Sequence, residues 1–425
     1  MREMKDSGIE WIGEIPVEWT LQRGKTIFAQ RLTKGNQTEI LLAATQKYGM
    51  LPQSEVEGVV QVKEDADLQQ FRTVHKGDFV ISLRSFQGGF EYSQYEGVCS
   101  PAYQVFYNTA SICHNYYRLL FKSDGFIQKM NSMTVGIREG KNIQYSDFAN
   151  SLIPIPPIGQ QHLIADYLDR KCSQIDAIIA RQQEVIEKLK AYKLSVITEA
   201  VTKGLNPDVP MKDSGVEWIG EIPEHWNVAK MKFVAAFFNG DRSSKYPSGT
   251  DIVDTGVIFV TSNNLGNIVL NTEVDTKYIT KEKYKDLGGA KLQIDDIVFC
   301  LRGSVGKCSI NKTENEGTIA SSLVAIRAEK ILADYLIFVL QCPGVTAMST
   351  LNAIGIGSLN LSAEDISEIV IPVPSQEDAK QIAAFLEKKT GMIDKLINAK
   401  KDCIDKLTSY KKSLIYEVVT GKKEV

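Results

Sequence analysis

Two arginines stand where the chain could meet an anion or a flat polar edge. Arg84 closes the run Asp78-Phe-Val-Ile-Ser-Leu-Arg84 and is followed by Ser85-Phe-Gln87-Gly88. Arg302 closes Asp296-Ile-Val-Phe-Cys-Leu-Arg302 and is followed by Gly303-Ser304-Val-Gly306-Lys307. The two runs superpose at an offset of 218. Each reads as an apolar strand ending in a guanidinium and a small-residue loop. Such a group, with its rigid fork of donors, suits phosphate or the acceptor edge of guanine. The same place also suits an arginine that closes a salt bridge. A second pair of polar, glycine-bearing segments lies further on. Gly136-Ile-Arg138-Glu-Gly-Lys141-Asn142 falls over Ile354–Asn360, with Leu359 in the place of the lysine and Asn360 under Asn142. These segments suit close approach to a backbone or a base edge, and equally suit plain turns.

Catalytic patterns do not emerge. Gly303-Ser-Val-Gly-Lys307 fails as a phosphate loop, because Leu301 stands where its first glycine belongs and Cys308 where Ser or Thr belongs. There is no GxGxxG after a strand, no HExxH and no GxSxG. Asn206-Pro207 runs on as Asp-Val, which reads as a helix stop and not as a methyl-transfer motif. Seven cysteines include no CxxC pair, and His75, His114, His162 and His225 are far apart, so neither a disulfide framework nor a metal cluster is expected. Composition is that of a soluble globular protein, with 43% hydrophobic and 24% charged residues and a net charge of −3. No run approaches the ~18 apolar residues of a membrane span. The opening Met-Arg-Glu-Met-Lys has no apolar signal region behind it, so a cytoplasmic protein is expected.

The elements that must carry these loops come in duplicate. Residues 4–19, MKDSGIEWIGEIPVEW, return as MKDSGVEWIGEIPEHW at 211–226, with only three of the sixteen positions changed. Two copies are too few for a solenoid, so they mark two homologous halves. The tryptophans Trp11, Trp19, Trp218 and Trp226 read as packing anchors. After each phrase come strand-like runs, including Glu39–Ala43, Val59–Val62 and Asp78–Leu83 in the first half and Val257–Val260 and Asp296–Leu301 in the second. A helical stretch is expected over about 115–131. Each half then passes through a stiff proline connector, Ile153-Pro-Ile-Pro-Pro157 or Ile371-Pro-Val-Pro374.

A long helix follows each connector, over about 160–203 and 376–420. The first would span roughly 66 Å. Apolar residues recur there in steps of three and four, giving a coiled-coil seam through Ile175, Ile179, Gln182, Ile186, Leu189, Lys193 and Val196. The second seam is the same set advanced by 218, with Lys400 and Lys411 as its polar interruptions. Matched stripes in one chain predict an antiparallel pair. The expected fold is α+β: two similar mixed domains, a two-helix antiparallel coiled coil between them and an approximate two-fold. The predicted boundaries are 1–152, 153–210, 211–370 and 371–425.

Taken together, the repeated D-S-G-x-E-W-I-G-E-I-P-x-x-W phrase, the I-P-x-P connectors and the matching helix ends Lys193–Thr202 and Lys411–Thr420 resemble the specificity subunits (HsdS) of type I restriction-modification systems. The resemblance covers the whole chain. It implies a non-catalytic, cofactor-free subunit for phage defence. Residues near 20–150 and 227–368 would be target recognition domains, each reading one half of a bipartite, asymmetric site in double-stranded DNA. The helices would set the spacing and dock two methyltransferase subunits, with nuclease-translocase subunits joining for restriction. On this reading Arg84, Ser85, Gln87, Arg138, Lys141, Asn142, Arg302, Ser304, Lys307 and Asn360 are the candidate DNA contacts. Two rivals share the features: a specificity subunit of another methylation or phage-exclusion complex, and a coiled-coil scaffold for proteins.

Overall fold

In the computed structural model, which describes residues 2–35, 39–56, 67–82, 89–133, 143–273, 275–351 (backbone only for 349–351) and 361–425, the repeated phrase folds identically twice. Met4–Asp6 pairs antiparallel with Glu14–Pro16, and Met211–Asp213 with Glu221–Pro223. Asp6 and Asp213 each accept the amide of the glycine two residues on, at 2.9 Å, which starts the turn. Those glycines, Gly8 and Gly215, sit at φ +66° and +69°, a conformation other residues resist. The hairpin exists to deliver apolar groups inward: Trp19 and Trp226 are buried. Each indole N–H reaches the first turn of its own half's long helix, Trp19 on Gln160 at 2.6 Å and Trp226 on Asp378 at 2.9 Å.

The chain forms two compact units, Met1–Gln183 with Lys401–Val425, and Glu184–Lys400. The first is built on a four-stranded antiparallel sheet in the order Phe28–Arg31, Gln104–Asn108, Phe79–Ile81, Phe90–Tyr92. The second repeats that order with Ala235–Asn239, Leu323–Ala328, Ile297–Cys300 and Cys308–Ile310. It adds another four-stranded sheet in which Val257–Val260 runs parallel to Gly317–Ile319. The strand expected at Glu39–Ala43 is Leu42–Thr45, and the run Val59–Val62 lies outside the described residues.

Two expectations are refined. The helical stretch over 115–131 is made of two helices, His114–Phe121 and Asp124–Met133. Ser123 breaks it, its hydroxyl donating to the Leu120 carbonyl at 2.7 Å and competing with the helical ladder. The proline connectors are extended, as expected, and are also paired. Leu152–Ile155 is a strand paired with Thr20–Arg23, and Val370–Val373 is paired with Asn227–Lys230. Proline is tolerated because each sheet has only two strands, so its missing N–H costs no ladder bond on the open side.

Ile158–Lys203 and Gln376–Val419 are the expected long helices, of 46 and 44 residues. In the first unit Leu168 and Ile175 of one bury against Leu414, Val418 and Val419 of the other. In the second unit Ile197, Ala200 and Val201 bury against Ile382 and Leu386. The early turns of each helix therefore always meet the late turns of the other, and the pairing is antiparallel. A buried Ile, Leu or Val contributes about 1.5–3 kcal/mol at such a seam. One polar interruption of each seam is answered across it: Lys193 binds Asp394 at 2.7 Å in the second unit, and Lys411 binds Asp176 at 2.7 Å in the first. Both pairs are related by the offset of 218. A tyrosine locks each seam to its globular part. Tyr116 donates to the Val419 carbonyl at 2.8 Å, and Tyr335 to that of Val201 at 3.0 Å. Among the described residues, no helix is long and apolar enough to cross a membrane.

Candidate nucleic-acid interface

The second unit presents one candidate loop in full. Its strand, Ile297–Cys300, is entirely buried, as four β-branched, aromatic or thiol side chains in a row require. Asp296 starts it. That carboxylate accepts the Gln293 amide at 2.8 Å and two guanidinium N–H groups of Arg327, both at 2.8 Å. Asp78 does the same work in the first unit, accepting the His75 amide at 2.8 Å and Arg31 at 2.7 and 3.0 Å. The residue before each aspartate turns left-handed, Gly77 at φ +99° and Asp295 at φ +68°.

Beyond the strand the chain makes a tight hairpin into Cys308–Ile310. The Cys300 amide donates to the Lys307 carbonyl at 2.9 Å, the Lys307 amide to Ser304 at 3.2 Å, and the Gly306 amide to Cys300 at 3.2 Å. Leu301 is fully buried and anchors the loop from below. The Cys300 thiol, raised in pKa chiefly by burial, donates to the Arg302 carbonyl at 3.1 Å. Backbone and anchor are thus fixed while Arg302 and Lys307 point out, exposed, and Ser304 is half-buried. Among the described residues neither cation enters an ion pair, so Arg302 does not close a salt bridge there. The loop is an ordered platform with two positive charges a few residues apart, suited to phosphate oxygens or base-edge acceptors.

The other seven candidates lie outside the described residues. Arg84, Ser85 and Gln87 fall between the paired strands Phe79–Ile81 and Phe90–Tyr92, which keep the register of their counterparts. Arg138, Lys141, Asn142 and Asn360 also fall outside. The structure therefore brings together Arg302, Ser304 and Lys307 only.

One polar feature escaped the sequence reading. An open cleft of about 880 Å³ runs beside the edge strand Ala235–Asn239, walled by Asp241, Arg242, Lys245, Asp286 and Lys291. Asp241 shapes it, accepting the amides of Ser243 at 2.7 Å and Gly288 at 2.8 Å. Lys291, its pKa lowered by burial, lies on the Tyr284 ring and donates to that residue's carbonyl. The run Asp241-Arg-Ser-Ser-Lys245 was the available signal, but its partners 286–291 come together with it only through the fold.

Comparison with known proteins bears on the family and the fold. The profile described as the type I restriction modification DNA specificity domain matches residues 3–188 and again 223–406. The EcoBI specificity subunit of Escherichia coli is 24% identical over 64% of this chain and 58% of its own length. The putative MjaX specificity subunit of Methanocaldococcus jannaschii is 26% identical over 92% of this chain and 90% of its own. The chain thus aligns with less than two thirds of the EcoBI subunit. Among solved structures, a chain from a study of assembly and conformational transition in the type I R-M system superposes with a TM-score of 0.71 at 15% identity, covering 96% of this chain and 99% of that one. The HsdS subunit of Thermoanaerobacter tengcongensis gives 0.51 at 14%, covering 96% and 98%. At such identities the superpositions speak to fold alone, and it is the profile, matched twice over most of the length, that decides: the chain belongs to the type I restriction-modification DNA specificity family.

Proposed function

We propose that this chain is the DNA-reading, non-catalytic subunit of a type I restriction-modification complex. Residues 1–152 and 211–370 act as its two recognition domains, each taking one half of a bipartite, asymmetric site. The observation that carries this is the Arg302 hairpin: exposed, unpaired among the described residues, held by its backbone, and repeated in sequence at Arg84. Ser304 and Lys307 extend the same platform. Arg84, Ser85, Gln87, Arg138, Lys141, Asn142 and Asn360 are the corresponding proposals where side chains are not described. A near-neutral chain can bind duplex DNA when partner subunits supply further phosphate contacts. The paired helices act as a spacer, so that the second domain binds at high effective concentration once the first is seated.

The helices also support docking of two like partners, the methyltransferase subunits, with nuclease-translocase subunits joining the same assembly. Ile178 and Leu396 are 46% and 53% exposed, and Tyr192 and Tyr410 are 50% and 52% exposed. Each pair is related by the offset of 218, and twin apolar patches suit two copies of one partner.

The test is selection of randomised duplexes by the assembled complex carrying Arg302→Ala. Loss of a bidentate base contact costs about 1–3 kcal/mol. The expected result is relaxed preference in one half-site and unchanged preference in the other. Equal loss in both halves would rule out independent readers. Binding insensitive to salt would favour a protein scaffold, since each phosphate contact contributes a slope of about −0.9 in log K against log salt.

A further inference from the structure

The cleft beside Ala235–Asn239 carries four cations in its walls, and three of them are engaged. Asp296 holds Arg327 at 2.8 Å, Asp286 holds Lys245 at 2.6 Å, and Lys291 donates to the Tyr284 carbonyl. Arg242 is exposed and enters no ion pair among the described residues. Its Nε–H donates to the Ser321 carbonyl at 3.3 Å. The other four N–H groups of the guanidinium have no acceptor among the described residues.

That one bond places Arg242 beside the Arg302 hairpin. Ala320-Ser321-Ser322-Leu323 is a β-turn, closed by the Leu323 amide on the Ala320 carbonyl at 3.0 Å. Its two corner carbonyls are taken from opposite sides. Arg242 takes that of Ser321, and the amide of Leu301, the residue before Arg302, takes that of Ser322 at 2.9 Å. The strands leading to the two arginines, Ala235–Asn239 and Ile297–Cys300, flank Leu323–Ala328 and are both antiparallel to it. They therefore run the same way, and their loops emerge at one end of the sheet. Two strand spacings put those loops roughly 10 Å apart.

The backbone under Arg242 is as fixed as that of the hairpin. The Gly240 amide donates to the Leu323 carbonyl at 3.3 Å, and a side chain at Gly240 would collide with the Ala320 carbonyl. The shared fold does not require the arginine. Strand register puts Phe238 in the place of Arg31, and four residues on Gly35 stands where Arg242 does. There the Gly35 amide donates to the Phe71 carbonyl at 3.0 Å instead.

We propose that Arg242 is a phosphate clamp of the second recognition domain. The inference rests on the reading of duplex DNA proposed above: Arg302 meets base edges, and Arg242 holds the backbone strand that walls the same groove. A major groove is about 12 Å wide, so a group roughly 10 Å from one set over the bases lies over the flanking sugar–phosphate strand. Phosphate oxygens take their contacts from arginine and from hydroxyls, and the exposed Ser244 lies two residues beyond Arg242. Arg242 thus sets register and reads no base. It is a positioning residue that the first domain does not have in the corresponding place.

The test is the affinity of the assembled complex for a duplex carrying its site, measured over a salt series for the wild type, Arg242→Ala, Arg242→Lys and Arg302→Ala. Arg242→Ala should weaken binding to all selected duplexes alike, flatten log K against log salt by about 0.9, and leave both half-site preferences unchanged. Arg242→Lys should keep the wild-type slope, because one positive charge still displaces one counterion. A loss of loop structure alone would not track charge in this way. The clamp is overturned if Arg242→Ala keeps the full slope, or if it relaxes preference at a base as Arg302→Ala does. A wild-type complex without salt-dependent affinity for duplex DNA would overturn the reading of DNA itself. A salt-dependent wild type whose slope survives Arg242→Ala overturns the clamp alone.

Discussion

Phe79, Phe90, Phe106, Phe121 and Phe148 fill the core of the first unit; Ile297, Cys308, Ile326, Leu340 and Ile366 fill the matching places of the second. The rings make a continuous net, with Phe106 within 6.1 Å of Phe28, Phe79, Phe90, Phe121 and Phe148. At those places the second unit closes the same strand order with aliphatic side chains and one thiol. What the halves share is register and burial, and not the atoms that fill the space. A hydrophobic core of the right volume suffices for a fold, and its detailed packing can be found more than once.

A swap makes the point more sharply. In the first unit Arg31 binds Asp78 and lies 4.5 Å from the Tyr107 ring centroid. In the second, Arg327 binds Asp296 and lies 4.5 Å from the Phe238 ring centroid. Strand pairing puts Phe238 in the place of Arg31 and Arg327 in the place of Tyr107. Cation and ring have changed strands, while the buried aspartate stayed. The unit requires the triad, not its addresses.

Breaking that triad should have the largest effect. Arg31→Ala leaves Asp78, whose side chain is 3% exposed, without its partner, and should cost about 3–5 kcal/mol in denaturant unfolding. Arg31→Phe with Tyr107→Arg, which copies the second unit, should recover most of that loss; no recovery would mean the two triads are not equivalent. Next comes Phe106→Ala, which opens the ring net and should cost about 3–5 kcal/mol in the first unit. Ile326→Ala should cost about 2–5 kcal/mol in the second. A negligible effect of Phe106→Ala would show that the net is not cooperative.

Glu91 sharpens the contrast through pH. Its pKa is raised from 4.5 to about 7, chiefly by burial, so the folded first unit holds a proton that the unfolded chain releases between those values. Its stability should therefore fall as pH rises from 4.5 to about 7 and level off above, by about 3 kcal/mol in all. Glu91→Gln should flatten that slope. The same titration read on the second unit, with Ser309 in that place, lacks the step; an unchanged slope in Glu91→Gln would assign it elsewhere. The smallest effect belongs to the seam. Lys193→Ala and Lys411→Ala remove part-exposed ion pairs and should each cost about 0.5–1 kcal/mol, equally if the two ends are alike. Loss of more than that from one alone would break the equivalence of the two seams.

The duplication, the long helices and both seams were legible because they rest on local period and on self-similarity, which need no partner in view. The left-handed residue before each strand was less so: glycine announces it at Gly77, but Asp295 does not. The loop of Arg302, Ser304 and Lys307 could be placed from its strand and its repeat, whereas its freedom from ion pairs could not. That the proline connectors are extended was legible, but their pairing was not, because the partners, Thr20–Arg23 and Asn227–Lys230, lie more than a hundred residues away.

By itself, then, the order of residues determined that there are two like halves, each with a helix too long and too striped to stand alone. Only the tertiary structure decided that the late turns of each helix complete the other half's unit, that an arginine and a ring may trade strands, and that Glu91 lies buried with an open oxygen. Those outcomes depend on cross-strand register and on solvent exclusion, which arise when distant segments meet and leave no trace in local pattern.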